Sequence, residues 1–307
     1  MEAVPPNIKQ IIAEMAAADK PIIHASLADL SNLDANELTF LEQTWNSIEA
    51  GRRRQIMIRL LELAEENFEL NFDAIFKNGL RDPDPEVRVQ SIEGLWENEE
   101  TTLISTYIRM LNEDKSEAVQ AAAAKALSKY AMLNELKKIG PASSGRVSQA
   151  LLAILADPNK SQEVWRRALE AAAPLSLNEV KKAIRTAYQS EDHKLKNSAI
   201  YAMGKNCDSA WIPTLIQEMA STSSETRYEA AGACGEICDE AAVAPLIKLT
   251  QDKDPEVQQA AINALGKIGG AKAKQFLMKS LNSPDEVISE AAEQALKQIE
   301  AEEDHLF

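Results

Sequence analysis

The chain is poor in the residues from which sheets, disulfide frameworks and polyanion-binding surfaces are built. Aromatic residues make up 5% of its 307 positions, and runs of β-branched residues are scarce, which argues against a large β-sheet protein. Three cysteines are too few for a disulfide scaffold and fit a reducing compartment, so a cytoplasmic setting is expected. Positive charge is in deficit: 33 Lys and Arg against 48 Asp and Glu give a formal charge of −15. A nucleic-acid coat needs a basic footprint, so the balance argues against nucleic acid as a partner. No apolar run approaches the roughly 20 residues that cross a bilayer, and no membrane span is expected. The opening MEAVPPNIKQIIAEM has neither a basic n-region nor an apolar h-region, and does not read as a signal peptide. A phosphate loop, GxGxxG and GxSxG are all missing.

What the chain has instead is alanine and a period. The segments PEVRVQSIEGL (85–95), EAVQAAAAKAL (117–127), HKLKNSAIYAM (193–203), ETRYEAAGACG (225–235) and PEVQQAAINAL (255–265) share one pattern. A first apolar column reads Ile56, Val87, Val119, Val164, Leu195, Thr226, Val257 and Ile288, with steps of 31, 32, 45, 31, 31, 31 and 31. Four residues later stand Leu60, Ser91, Ala123, Ala168, Ala199, Ala230, Ala261 and Ala292. Offsets of 0, 4, 7, 8 and 11 fall on one side of a helix, and small residues at four and seven allow another helix to approach closely.

Three residues before the first column come Arg53, Asp84, Ser116, Ser161, Asp192, Ser223, Asp254 and Asp285. All but Arg53 are Ser or Asp, whose side-chain oxygens accept orphan N–H groups at a helix start. Pro85 and Pro255 follow at the first helical position, and Glu86, Glu163, Glu225 and Glu256 favour the positive end of the helix dipole. Shorter amphipathic segments such as LISTYIRML (103–111) and WIPTLIQEM (211–219) precede each cap. Pro213 and Pro245 should kink these first helices or start them late. Gly204, Gly235 and Gly266 recur at 31 residues and suit close packing or helix termination. The expected fold is all-α: a right-handed α-α solenoid, or superhelix, of about eight stacked helical hairpins. Residues 1–33 are expected to form a capping helix (Asn7–Ala18) and a connector, and residues 34–300 the solenoid. Some 14 extra residues near 134–147 read as a loop insertion, and 301–307 as a frayed tail.

DPDPEVRVQSIEGL and DKDPEVQQAAINALGKIGGAKAKQFLMKSL resemble short HEAT repeats of the phycobilisome-lyase type, over about residues 36–300. The resemblance implies an α-solenoid whose second helices line a concave surface. It is a fold signal more than a functional one, because the family serves scaffolds, adaptors and a few enzymes. The HEAT-repeat deoxyhypusine hydroxylases carry repeated His-Glu pairs as di-iron ligands. Here His24, His193 and His305 are each followed by another residue, so no cofactor, metal or catalytic set is expected. Cys234 stands in a core column and reads as a buried thiol. The Arg52–Arg54 run is expected to be solvated or paired within the chain, since consecutive residues splay by about 100°.

Charge is uneven along the chain. Residues 1–100 carry 9 basic and 20 acidic groups, net −11; residues 101–200 carry 15 and 10, net +5; residues 201–307 carry 9 and 18, net −9. The basic middle, with Lys137, Lys138, Arg146, Arg166, Arg167, Lys181, Lys182, Arg185, Lys194 and Lys196, suits an acidic partner or simply mixes charges for solubility. Two, six and nine residues past the apolar column, positions point away from the core side of the second helices; there Arg166, Asn197, Tyr201 and Tyr228 fall on successive repeats, with Trp96 near them in angle. Arg and Tyr dominate binding hot spots, and these five are the candidate groove residues, although the tyrosines would equally serve to cover inter-repeat seams. Three functions follow. The first is a non-enzymatic scaffold or adaptor that binds a protein or peptide along the concave face. The second, implied by the resemblance, is a phycobilin lyase-like, chromophore-handling protein. The third is a HEAT-like DNA-alkylation glycosylase, which the net charge opposes.

Overall fold

The computed structural model describes residues 6–17 and 20–304. Among them there are α-helices, short 3-10 turns and no strand. Two N-terminal helices, α1 (Pro6–Ala16) and α2 (His24–Ala28), precede eight hairpins. The first four are α3 (Ala35–Trp45) with α4 (Ala50–Glu66), α5 (Asp73–Gly79) with α6 (Pro85–Gly94), α7 (Leu103–Glu113) with α8 (Glu117–Glu135), and α9 (Pro141–Ala156) with α10 (Gln162–Ala172). Then come α11 (Asn178–Tyr188) with α12 (His193–Asn206) and α13 (Ile212–Glu218) with α14 (Ser224–Ile237). The last two are α15 (Val243–Leu249) with α16 (Pro255–Ile268) and α17 (Gly270–Ser280) with α18 (Glu286–Asp304). The fold is an α-solenoid, and each apolar column of the sequence falls on a second helix. All eight residues from Leu60 to Ala292 in the small column are buried.

The caps act as their chemistry dictates. The side chains of Asp84, Ser161, Asp192, Ser223, Asp254 and Asp285 accept from backbone N–H groups two or three residues on. The two internal prolines delay their helices: 3-10 turns at Ser209–Trp211 and Glu240–Ala242 come first, and Pro213 sits in the opening turn of α13. Such a position needs no N–H.

The structure departs from the expectations in three places. The extra residues near 134–147 do not form one loop. α8 runs on to Glu135 and α9 starts at Pro141, which leaves 136–140 as the connection. EAVQAAAAKALSKYAMLNE is rich in strong helix formers, and Pro141 seeds the next helix at its first position. The tail is likewise helical where it is described, since α18 continues through Asp304; residues 305–307 lie outside the described residues. Arg53 does not stand at a cap at all. α4 begins earlier, with Glu49 accepting from the Arg52 N–H.

The chain divides into two compact units: Met1–Tyr130 with Pro141–Ser143 and Lys160–Arg167, and Ala131–Gly140 with Ser144–Asn159 and Ala168–Phe307. In the first, the arginine run of α4 splays in three directions, each absorbed within the chain. Arg52 donates to the carbonyls of Met15 (2.7 Å) and Lys20 (2.7 Å), satisfying an acceptor at the end of α1. Arg53 is buried against Asp82, with Nη2 3.0 Å from Oδ1 and Nε 2.8 Å from Oδ2. Arg54 reaches Asp84 at 3.0 Å and Glu86 at 3.2 Å.

In the second unit, the second helices α12, α14, α16 and α18 pack more closely on one another than the first helices do. The glycine row explains this. A Cβ on Gly204 would lie 2.6 Å from Ala233 Cα, one on Gly235 2.9 Å from Ala264 Cα, and one on Gly266 2.8 Å from Ala295 Cβ. The row therefore serves close packing. Helix termination falls to Cys207, Cys238 and Gly269, which have positive φ of 52°, 57° and 64°. Close approach on the second-helix side makes that side the inner face of the unit.

Candidate functional site

The inner face of the second unit carries a groove of about 480 Å³ across α12, α14 and α16. Tyr201 and Tyr228 line it together and are 39% and 46% exposed. Ten residues past the apolar column come Lys205, Glu236 and Lys267, one per repeat, and they form a ladder. Glu236 accepts from Lys205 at 2.9 Å and also from Lys267. Burial works to raise the Glu236 carboxyl, but hydrogen bonds from Lys267 and Lys205 hold it below the usual range. Lys205 also lies 5.8 Å from the centre of the Tyr201 ring. Burial pushes the Tyr201 hydroxyl up, against the pull of that ammonium.

Glu229 lines the same groove and has no ion pair among the described residues. Burial, with Glu170 and Glu225 adding repulsion, pushes it up to about 7. A carboxyl so raised binds its proton more tightly folded than unfolded, so stability falls as pH climbs from the ordinary value of 4.5 to about 7. Glu229→Gln should therefore match the parent at pH 4 and become progressively more stable than it up to pH 7. Urea melts across that range test this, and a constant difference at all pH values would refute it.

The candidate residues are divided between the two units. Trp96 and Arg166 belong to the first unit, and Asn197, Tyr201 and Tyr228 to the second. Arg166 donates three bonds to Glu163 on its own helix, from Nη2 at 2.7 and 2.8 Å and from Nε at 3.1 Å. Asn197 is no groove residue: it is 6% exposed and accepts from Thr226 Oγ1 at 2.8 Å. Its column points to the seam with the next helix. Tyr228 is long enough to reach past that seam and Asn197 is not. Much of the basic middle is consumed in pairs: Lys181 with Asp208, Lys196 with Glu218, and Arg185 over the Trp211 ring. Cys234 is fully buried, and burial pushes its thiol up to about 12. Among the described residues, no three of His, Cys, Asp and Glu assemble as a metal-binding group. No helix there is long and apolar enough to cross a membrane.

The ladder and Glu229 stand ten and three residues past the apolar column, outside the columns at plus two, six and nine that hold the candidate residues. The alternation Lys205, Glu236, Lys267 at a 31-residue step was the available signal.

The HEAT repeats family matches residues 74–160 and 212–297, more than half of the chain. The chain belongs to the HEAT-repeat family. Among solved structures, yeast importin-β (Kap95p) resembles this HEAT solenoid with a TM-score of 0.54 at 14% identity. The match covers 96% of this chain and 46% of importin-β, so the solenoid spans less than half of that relative. Human deoxyhypusine hydroxylase, solved in complex with glycerol, gives a TM-score of 0.39 at 17% identity, with 96% of each chain covered. A designed armadillo repeat protein in complex with a (KR)4 peptide gives 0.42 at 21% identity, covering 64% of this chain and 99% of its own. At these identities the likeness concerns the fold. No curated protein matches the chain.

Proposed function

We propose that this HEAT-repeat protein is a non-enzymatic scaffold or adaptor, and that the inner groove of its second unit binds an extended segment of a protein partner. The observation that carries this reading is the pair Tyr201 and Tyr228, half exposed side by side on adjacent second helices. Tyrosines offer contact area with little entropy to lose and a hydroxyl for hydrogen bonding. Asn263, on the same wall, adds an exposed amide without a hydrogen-bond partner among the described residues. In the Lys205–Glu236–Lys267 ladder both ammonium groups are already engaged by one carboxylate, so the groove favours main-chain and aromatic contacts over strong charge. The partner expectation narrows accordingly: an acidic partner would meet only those lysines of the basic middle that have no intrachain pair.

The phycobilin-lyase and DNA-glycosylase readings gain no support from this groove. The test is affinity capture with the parent and with Tyr201→Ala/Tyr228→Ala. A partner that co-purifies stoichiometrically with the parent should be lost or bind at least about ten-fold more weakly to the double variant. Unchanged affinity would remove the groove from the function.

A further inference from the structure

No packing contact accounts for Gly232. A Cβ on Gly204, Gly235 or Gly266 would collide with the next helix, but one on Gly232 would meet nothing within 4 Å. A glycine inside a helix costs stability relative to alanine. Gly232 stands in the column of Tyr201 and Asn263, 31 residues from each, and lines the tyrosine groove with them. Its missing side chain leaves a notch in that column, with Tyr228 one helical turn before it on α14.

The register between the helices sets the spacing of the tyrosines. Asn197 meets Thr226 and Gly204 faces Ala233, each 29 residues on. α12 and α14 therefore run parallel, and Tyr201 stands level with Ala230. Tyr228 lies two residues before Ala230, about 3 Å along the axis. Packed helices lie about 8–10 Å apart, and contacts between glycine and alanine hold these two near the lower value. The tyrosines thus spring from points about 9 Å apart. A polyproline II segment presents the same face every three residues, which is about 9 Å. A β-strand presents the same face after two residues, about 7 Å, or after four, about 13 Å, and matches the spacing in neither case. The charge of the lining selects as well. Lys205, Lys267, Glu229 and Glu236 are two of each sign. Glu236 engages both lysines, and burial keeps part of Glu229 neutral near pH 7. Such a lining complements an uncharged occupant.

We propose that the tyrosine groove takes an uncharged, proline-rich segment of a partner protein in the polyproline II conformation, with prolines three residues apart packed on Tyr201 and Tyr228. Aromatic faces suit the flat pyrrolidine ring. A polyproline II backbone makes no hydrogen bonds of its own, so its carbonyls are free to accept from the Asn263 amide and the tyrosine hydroxyls. The backbone crosses the groove at Gly232, where a Cβ would stand in its way. The inference rests on the reading of this groove as a binding site and adds the class of its occupant.

The probe is a fluorescent peptide of about 12 residues that repeats Pro-Pro-Ser, and so keeps one face over about four polyproline II turns. Two controls of the same length accompany it: a repeat of Pro-Pro-Ser-Ser, which breaks the three-residue period, and a repeat of Thr-Val-Ser, which has no proline. Fluorescence anisotropy with the full chain should show the Pro-Pro-Ser peptide binding at least about ten-fold more tightly than either control. Tyr201→Ala/Tyr228→Ala should weaken it at least about ten-fold, and Trp96→Ala, in the other unit, should leave it unchanged. Gly232→Ala should also weaken it about ten-fold while raising the melting temperature, which separates a filled notch from a damaged fold. Full affinity in Gly232→Ala, equal binding of the Pro-Pro-Ser-Ser peptide, or no binding of the Pro-Pro-Ser peptide would overturn the proposal. Should the Thr-Val-Ser peptide bind as tightly and be lost with the tyrosines, the proline class falls and the groove stands. The groove itself falls only if a captured partner also ignores both tyrosines.

Discussion

Asp82→Ala is expected to destabilise the first unit by about 3–5 kcal/mol. The carboxylate is fully buried and accepts three hydrogen bonds, from Trp45 Nε1 at 2.7 Å, Arg53 Nη2 at 3.0 Å and the Asp84 N–H at 2.8 Å. Arg53 Nε adds an ion-pair contact at 2.8 Å. Removing it leaves the Arg53 guanidinium, whose side chain is 7% exposed, as an unpaired charge away from water. The desolvation of that ion, more than the lost attraction, sets the magnitude. Replacing both partners, Arg53→Met with Asp82→Leu, should cost less than Asp82→Ala alone. Arg54→Ala, which breaks a half-exposed pair, should have a much smaller effect. Hydrogen exchange of α4 and α6 amides, with urea melts, gives the local free energy even where the two units unfold separately. A loss below about 1 kcal/mol for Asp82→Ala, the size of an ordinary hydrogen bond, would mean that water reaches the pair.

Gly204→Ala should destabilise the second unit by about 1–3 kcal/mol, against the helix propensity of alanine, which by itself favours the variant by about 1 kcal/mol. The added methyl would sit 2.6 Å from Ala233 Cα. That obstacle is backbone, so the two helices must separate. Gly232→Ala is the control. Gly232 is also inside a helix, α14, but a Cβ there meets nothing within 4 Å, and the substitution should stabilise by about 1 kcal/mol. Opposite signs in thermal or urea melts are the expected result. Stabilisation by both would show that the second helices are not held at the distance described.

The second glycine test also marks the division between what is local and what is not. Gly204 and Gly232 are both helical glycines of one unit, and only the neighbouring helix separates them. The repeat, its hairpins and its caps were legible because they depend on local rules. A helix buries one stripe, so its core positions recur at helical spacing. A cap needs an oxygen at one position, so Asp84, Asp192 and Asp254 announce themselves. Where local rules mislead, the structure shows why. The segment 134–147 contains Gly140, Pro141 and Gly145, yet Pro141 starts a helix instead of ending one, and Gly145 is carried inside it.

The site was less legible. Tyr201 and Tyr228 were found because their columns step regularly along one face. Asn197 shares a column with Tyr228 but is drawn into the seam by Thr226, a polar residue in a mostly apolar column of the next helix. Arg166 is held by Glu163 on its own helix. Side-chain length and the identity of a neighbour on another helix decide such cases, and neither appears in the periodicity of one helix.

By itself, then, the sequence determined an all-helical chain of about eight hairpins, seven of them with a Ser or Asp cap, the core columns, and the family to which the repeats belong. Those properties arise from interactions within three or four residues and from an apolar stripe that any stacking neighbour can cover. Only the tertiary structure decided which charges are consumed and which are left over. Lys129 is spent on the end of α6 and Glu236 is shared by two lysines, because pairing depends on residues some 30 positions apart that meet only when repeats stack.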